Sequence, residues 1–184
     1  MSRIFLSLAV FSTILLVVVF TFGLTIGDPK ATDEITRALM QWHFRTALAG
    51  LVFACLVHAV MLTYFMGTGR WIEDTSKAYR LSDRWGQQSR SLKNRTFPAM
   101  IVAVLLLVVA GAFGAAVDPG SSVDFRGWFG LSPNSIHLLI ASIALAVNFL
   151  VNIREFQSID RNGQLIEQVL QEVRHIREEH GLPV

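Results

Sequence analysis

Four long apolar stretches divide this chain, at about residues 4–24, 47–66, 99–117 and 136–153. Each is close to the roughly 20 apolar residues that a helix needs to cross the hydrocarbon of a bilayer. A helix satisfies its own backbone hydrogen bonds, which lipid cannot do, so helices are the expected form of these stretches. The pattern predicts an all-α integral membrane protein, a bundle of four transmembrane helices in the lipid bilayer.

The start of the chain has the pattern of an anchor that is retained. Arg3 is followed by an uncharged run to about residue 24. A cleavable signal has a shorter apolar core, of roughly 7 to 15 residues, and a small-residue cleavage site after it. We therefore expect an uncleaved first span, followed by a short polar loop within residues 26–41.

Charge along the chain predicts its orientation. Residues 67–96 carry seven Lys or Arg and three Asp or Glu, a net of +4, whereas residues 118–135 carry two acids and one base, a net of −1. Basic loops stay in the cytoplasm. We expect a basic cytoplasmic loop at 67–96, with both termini cytoplasmic, in a bacterial inner membrane. The basic segment 70–95 also predicts contact with anionic lipid head groups.

The sequence after the fourth span predicts a separate unit. We divide the chain into a membrane domain, residues 1–156, and a cytoplasmic amphipathic C-terminal helix, residues 157–184, although Asn162-Gly163 is a turn signal. Apolar spacing in this tail follows the alternation of three and four residues that is typical of coiled coils. The side chains predicted to bind a partner are Ile166, Val169, Leu170, Val173 and Ile176.

His58 is the only histidine within the second span, which contains no Asp, Glu, Lys or Arg. It lies about 12 residues, or roughly 18 Å, below the expected outer boundary, and Asn148 of the fourth span lies at the same depth. We predict a hydrogen bond between a neutral His58 and Asn148. The alternatives for His58 are a quinone-binding residue, a proton relay or a position close to a haem.

His43 and His137 form a second pair near the outer boundary of the same two spans. Their depths differ by about four residues, or roughly 6 Å, which helix tilt can remove. Two neutral imidazoles that face each other between helices can hold a b-type haem. These two histidines are therefore the candidate haem ligands, and haem b is the candidate cofactor.

Other chemistry finds little support. Cys55 is the only cysteine, and the spans have no clustered carboxylates and no histidine motif for a metal. We expect no nucleic-acid partner and no enzymatic activity from the chain alone.

Small residues at 110, 111, 114 and 115 permit close packing of the third span against another helix. The sequence therefore favours a non-catalytic membrane subunit that assembles with its own copies or with a larger membrane complex. The alternative is a small b-type cytochrome that transfers electrons, with one haem between spans two and four.

Overall fold

The computed structural model describes residues 1–28 and 33–183, and the expected polar loop at 26–41 lies partly outside them. Four helices account for most of the described chain: α1, Ser2–Thr25; α2, Glu34–Tyr79; α3, Arg84–Val117; and α4, Pro133–Glu179. Each helix contains a segment that is long and apolar enough to cross a membrane. The all-helical prediction is confirmed, and four helices with the length and hydropathy needed to span a membrane are present as expected.

The starts of two helices are fixed by side-chain caps. The Asp33 carboxylate accepts a hydrogen bond from the Thr36 backbone N–H at 2.8 Å, which satisfies a free donor at the start of α2. At the start of α4, the Ser132 hydroxyl accepts one from the Ser135 N–H at 3.2 Å. Pro133 follows this cap, at a position where a helix needs no backbone donor.

Helices α2 and α3 occupy most of the region expected to be a loop at 67–96. Helix α2 continues to Tyr79, and only a short turn separates it from Arg84. Arg80 ends α2 in the left-handed conformation, with φ of 52°, while the Leu81 N–H donates to the Ser76 carbonyl. Since α3 begins well before the third apolar stretch, Pro98 lies inside this helix.

Helix α4 is also longer than its apolar segment, and it passes through Asn162-Gly163 without a break. Its 47 residues span about 70 Å at 1.5 Å per residue, more than twice the roughly 30 Å of a bilayer's hydrocarbon. We call residues 67–98 and 154–180 the polar end. Within it, α4 packs on the extensions of α2 and α3.

The stripe predicted to bind a partner lies largely within this packing. Ile72, Leu81 and Trp85 form a core with apolar side chains of α4, which are Leu165, Ile166, Val169, Val173 and Ile176. Val169 is fully buried, and Leu170 is partly exposed. Burial in the chain's own core explains why most of residues 67–96 are helical, since the apolar positions of these helices then meet α4.

The four helices pack in cyclic order, so that each contacts the next and α4 returns to α1. Helices α2 and α4 also contact each other across the middle, whereas α1 and α3, both fully described, do not touch. A second apolar core lies between the spans and includes Phe5, Val57, Met61 and Ile159. The inward faces of α2 and α4 therefore face each other in the interior.

Candidate functional site

His43 is seated on α1 at a glycine. A Cβ on Gly23 would lie 3.1 Å from Cε1 of the imidazole, so any other residue at this position would require the ring to shift. The ring's Nδ1 lies 3.0 Å from the carbonyl oxygen of Val19, four residues before that glycine. A carbonyl can only accept, so Nδ1 carries the hydrogen and the neutral ring keeps a free lone pair on Nε2.

His137 is seated on α3 in the same way. A Cβ on Gly114 would also lie 3.1 Å from its Cε1. Ala110, four residues before Gly114, has its carbonyl near this ring. The contact falls outside strict hydrogen-bond geometry, and the buried Nδ1 of His137 has no hydrogen-bond partner among the described residues. In both helix pairs, α1 with α2 and α3 with α4, a histidine of the second helix thus packs against a glycine of the first.

The two imidazoles meet in the interior. Their ring centroids are 6.4 Å apart and their planes cross at 84°. Both side chains are partly buried. The structure therefore brings together the pair that the sequence identified as candidate haem ligands, from the two helices that face each other across the middle.

His58 lies deeper on α2, is 3% exposed, and both of its ring nitrogens have partners. Its Nε2 is 3.3 Å from Oδ1 of Asn148, the neighbour expected from the sequence. Its Nδ1 is 2.8 Å from Oε1 of Glu155, a contact that the sequence did not predict. With both nitrogens engaged by the protein, His58 has no nitrogen free to bind an iron ion.

Glu155 is fully buried, although the sequence analysis placed it beyond the end of the fourth span. It follows Arg154, and a charged pair usually marks the edge of a membrane segment. The spacing of the buried positions on α4 is the signal that could have identified Glu155 from the sequence. Counted from Asn148, positions 152, 155, 159 and 162 continue by four, three, four and three residues, and all of them are buried on one face of α4.

Further polar contacts join α4 to its neighbours along this face. Asn152 donates to the Thr13 hydroxyl of α1 at 3.3 Å, and Asn162 donates to the Thr68 hydroxyl of α2 at 2.9 Å. On this face of α4, three buried side-chain oxygens have no hydrogen-bond partner within residues 1–28 and 33–183: Oδ1 of Asn152, Oε2 of Glu155 and Oδ1 of Asn162.

The remaining histidines belong to the polar end. Nε2 of His175 lies 3.3 Å from Oε1 of Glu179 in an exposed i, i+4 pair, and His180 is also exposed. Within the described part of the chain, no three or more His, Cys, Asp or Glu side chains converge as a metal site would require. No protein-family model, curated protein or solved structure matches this chain.

Proposed function

We propose that the chain is a small b-type cytochrome that transfers electrons within a membrane, with one haem b between His43 and His137. The observation that carries the proposal is the approach of these two imidazoles, from facing helices, to 6.4 Å between ring centroids. Imidazole is the usual protein ligand of haem iron, and facing helices of a bundle supply such ligands.

The hydrogen bond of His43 supports axial ligation by this residue. The Val19 carbonyl holds the Nδ1–H of His43 and leaves Nε2 free, which is the arrangement common to metal-binding histidines. Two ligands are too few for a structural zinc site, which takes four. Haem iron needs only axial ligands from the protein because the porphyrin supplies the others. When bound, the haem would supply one-electron redox chemistry.

The two glycines have a definite part in this proposal. Gly23 and Gly114 have no Cβ at the point where each imidazole contacts the neighbouring helix. A larger residue at position 23 would push the His43 ring away from α1, and a larger residue at position 114 would push the His137 ring away from α3. The glycines therefore set the position of both ligands, and they take no part in binding the iron themselves.

Replacement of each histidine tests the proposal. The protein is produced in haem-replete cells, purified in detergent, and its haem per chain is measured for His43→Ala, His137→Ala and His175→Ala. We expect either of the first two variants to lose most of the haem. His175→Ala, at an exposed position, should retain it. Retention of haem by both ligand variants would contradict the proposal.

A second function, a non-catalytic membrane subunit that assembles with its own copies or with a larger complex, is favoured by the outer face of α3. Ile101, Leu105 and Val108 on this helix are each about half exposed. Gly111 has open space beside it, with no atom within 4 Å of the position of a Cβ. Small residues on an open face permit close approach of another helix.

Particle mass tests assembly. We expect the wild-type protein in nanodiscs to have a mass above that of one chain, and Gly111→Phe to reduce it. Ala59→Phe, at an exposed position on α2, is the matched control and should leave the mass unchanged. A wild-type mass equal to one chain, in protein extracted by a mild detergent, would exclude self-assembly.

The proposed arrangement is a four-helix bundle in a bacterial inner membrane, with the polar end and both termini in the cytoplasm. The excess of Lys and Arg within residues 67–96 supports this orientation. In a Cys55→Ser background, a membrane-impermeant maleimide added to spheroplasts should label Ser122→Cys and spare Ser91→Cys. The reverse pattern would invert the topology.

A further inference from the structure

The hydrogen bonds of Asn148 determine which atom of His58 carries a hydrogen. Its side-chain Nδ2 donates to the carbonyls of Ala103, at 3.1 Å, and Ala144, at 2.9 Å. Two carbonyl acceptors on one side fix the amide, so that Oδ1 faces His58. An amide oxygen can only accept. The Nε2 atom of His58 must therefore donate.

This assignment decides what lies between His58 and Glu155. With a hydrogen on Nε2, the neutral ring has a lone pair on Nδ1, and that atom is 2.8 Å from the Glu155 carboxyl oxygen. A lone pair and an ionised carboxylate would repel each other at this distance. One further proton must lie between the two atoms, as imidazolium with carboxylate or as imidazole with a carboxylic acid. The 2.8 Å contact is the geometry expected of a proton-bound pair.

The pair is isolated from other charges. His58 is 3% exposed and Glu155 is fully buried. On the neighbouring helices, the buried polar side chains are Ser12 of α1 and Ser89 and Thr96 of α3, and no charged group of the described residues joins them in the core. Removal of the proton would leave a net negative charge in a medium that solvates charge poorly. The proton is the ligand that keeps the site neutral.

Unpaired oxygens on α4 supply a route to this site. Oδ1 of Asn152, Oε2 of Glu155 and Oδ1 of Asn162 are buried acceptors without a partner in the described chain. They lie on one face of α4, and Asn162 follows Glu155 by seven positions, which is about 10 Å along the helix. Buried acceptors of this kind are usually satisfied by ordered water. Water molecules that join Glu155 to Asn162 would have to pass the side chain of Ile159, which is 1% exposed in the apolar core.

The route reaches the surface at Thr68. Asn162 donates to the Thr68 hydroxyl at 2.9 Å, and Thr68 also lines an open groove of about 530 Å³ together with Met1, Tyr64 and Gly67. The groove runs along the apolar segment of α2 from Leu56 to Thr68, and Thr68 lies at the end nearest the polar end. A water file along α4 would therefore leave the helices at Thr68, whose hydroxyl also donates to the Tyr64 carbonyl at 2.7 Å.

We propose that His58 and Glu155 form a proton-binding site in the membrane interior, which exchanges protons with the side of the polar end through water molecules along the inward face of α4. Protonation converts the imidazole–carboxylate pair, with a net charge of −1, into a neutral pair, to which the 2.8 Å contact corresponds. The proton comes from water, and no bond between heavy atoms changes. The site does not depend on haem. A result against haem binding would therefore leave this proposal unaffected, and a result against the proton site would leave the proposed function unaffected.

The first test examines wild-type protein. Histidine side chains labelled with ¹⁵N are observed by NMR in nanodiscs, and His58→Gln assigns the His58 signals. We expect His58 at neutral pH to have a hydrogen on Nε2 and a proton shared at Nδ1. A neutral ring with hydrogen on Nδ1 and a free Nε2 would overturn the proposal. In Glu155→Gln, the titration of His58 should be lost, and its persistence unchanged would also overturn it.

The second test examines the route. Exchange of the shared proton with solvent is measured for Asn162→Leu and for Gln164→Leu, an exposed position on the same helix. We expect several-fold slower exchange in Asn162→Leu and wild-type exchange in the control. Thr68→Val, which keeps side-chain volume and removes the hydroxyl, provides the same test if Asn162→Leu does not fold. Wild-type exchange rates in both route variants would refute the water file.

Discussion

Replacement of Glu155 by leucine should be among the most destabilising single changes in the chain. The leucine side chain fills a volume similar to that of glutamate at this fully buried position. The substitution removes, however, the carboxyl oxygen that lies 2.8 Å from Nδ1 of His58. Breaking a buried pair by removing one member typically costs about 3–5 kcal/mol, because the other member stays buried without compensation. By contrast, an ordinary interhelical hydrogen bond in a membrane protein contributes about 0.6 kcal/mol.

The double replacement distinguishes this mechanism from simple loss of packing. With His58→Leu added, no polar group of the pair remains, and apolar replacement of both members is often neutral or stabilising. We expect the double variant to recover most of the roughly 3–5 kcal/mol lost by Glu155→Leu. This recovery is a coupling free energy, which a double-mutant cycle measures directly.

Reversible unfolding in mixed micelles of mild detergent and dodecyl sulfate, followed by circular dichroism, provides the assay. All four proteins of the cycle are compared in the same micelle composition. The reasoning is refuted if Glu155→Leu costs no more than an ordinary hydrogen bond, about 0.6 kcal/mol. It is equally refuted if the two single effects add without coupling, because the loss would then reside in packing with other neighbours.

Three further predictions concern other parts of the chain. Gly23→Leu should displace the facing imidazole and lower haem content, whereas Gly111→Leu, beside open space, should leave haem content unchanged in absorption spectra. Trp85→Ala removes a buried ring and the donor of the 2.8 Å hydrogen bond to Glu172. It should cost about 3–5 kcal/mol and raise amide exchange in the polar end first. Arg80→Gly relieves a left-handed residue and should stabilise the protein by about 1 kcal/mol in the same unfolding assay.

Hydrophobic pattern predicted where the spans lie because crossing a bilayer requires a continuous apolar helix of defined length. It did not predict where the helices end. The charges after residue 66 mark the end of the apolar segment, and a helix in water tolerates charge on its outer face. Leu81 and Trp85 lie in the segment that was expected to be a loop, and only their contact with α4 explains why both are buried.

The candidate site was predictable in part. The shared depth of His58 and Asn148 follows from counting residues, since two helices that run in the same direction bring equal counts to equal depth. The pairing with Glu155 does not follow from counting. It depends on the rotation of α4 about its axis, which the packing of all four helices determines. Likewise, the sequence gives no sign that Gly23 and Gly114 receive the two imidazoles, because these contacts join different helices.

The most direct test of the proposed electron-transfer function is a reduced-minus-oxidised visible spectrum of the purified wild-type protein, with a pyridine haemochrome assay to count haem per chain. The account predicts a b-type spectrum and close to one haem per chain, held by His43 and His137. A colourless protein from haem-replete cells would contradict the account.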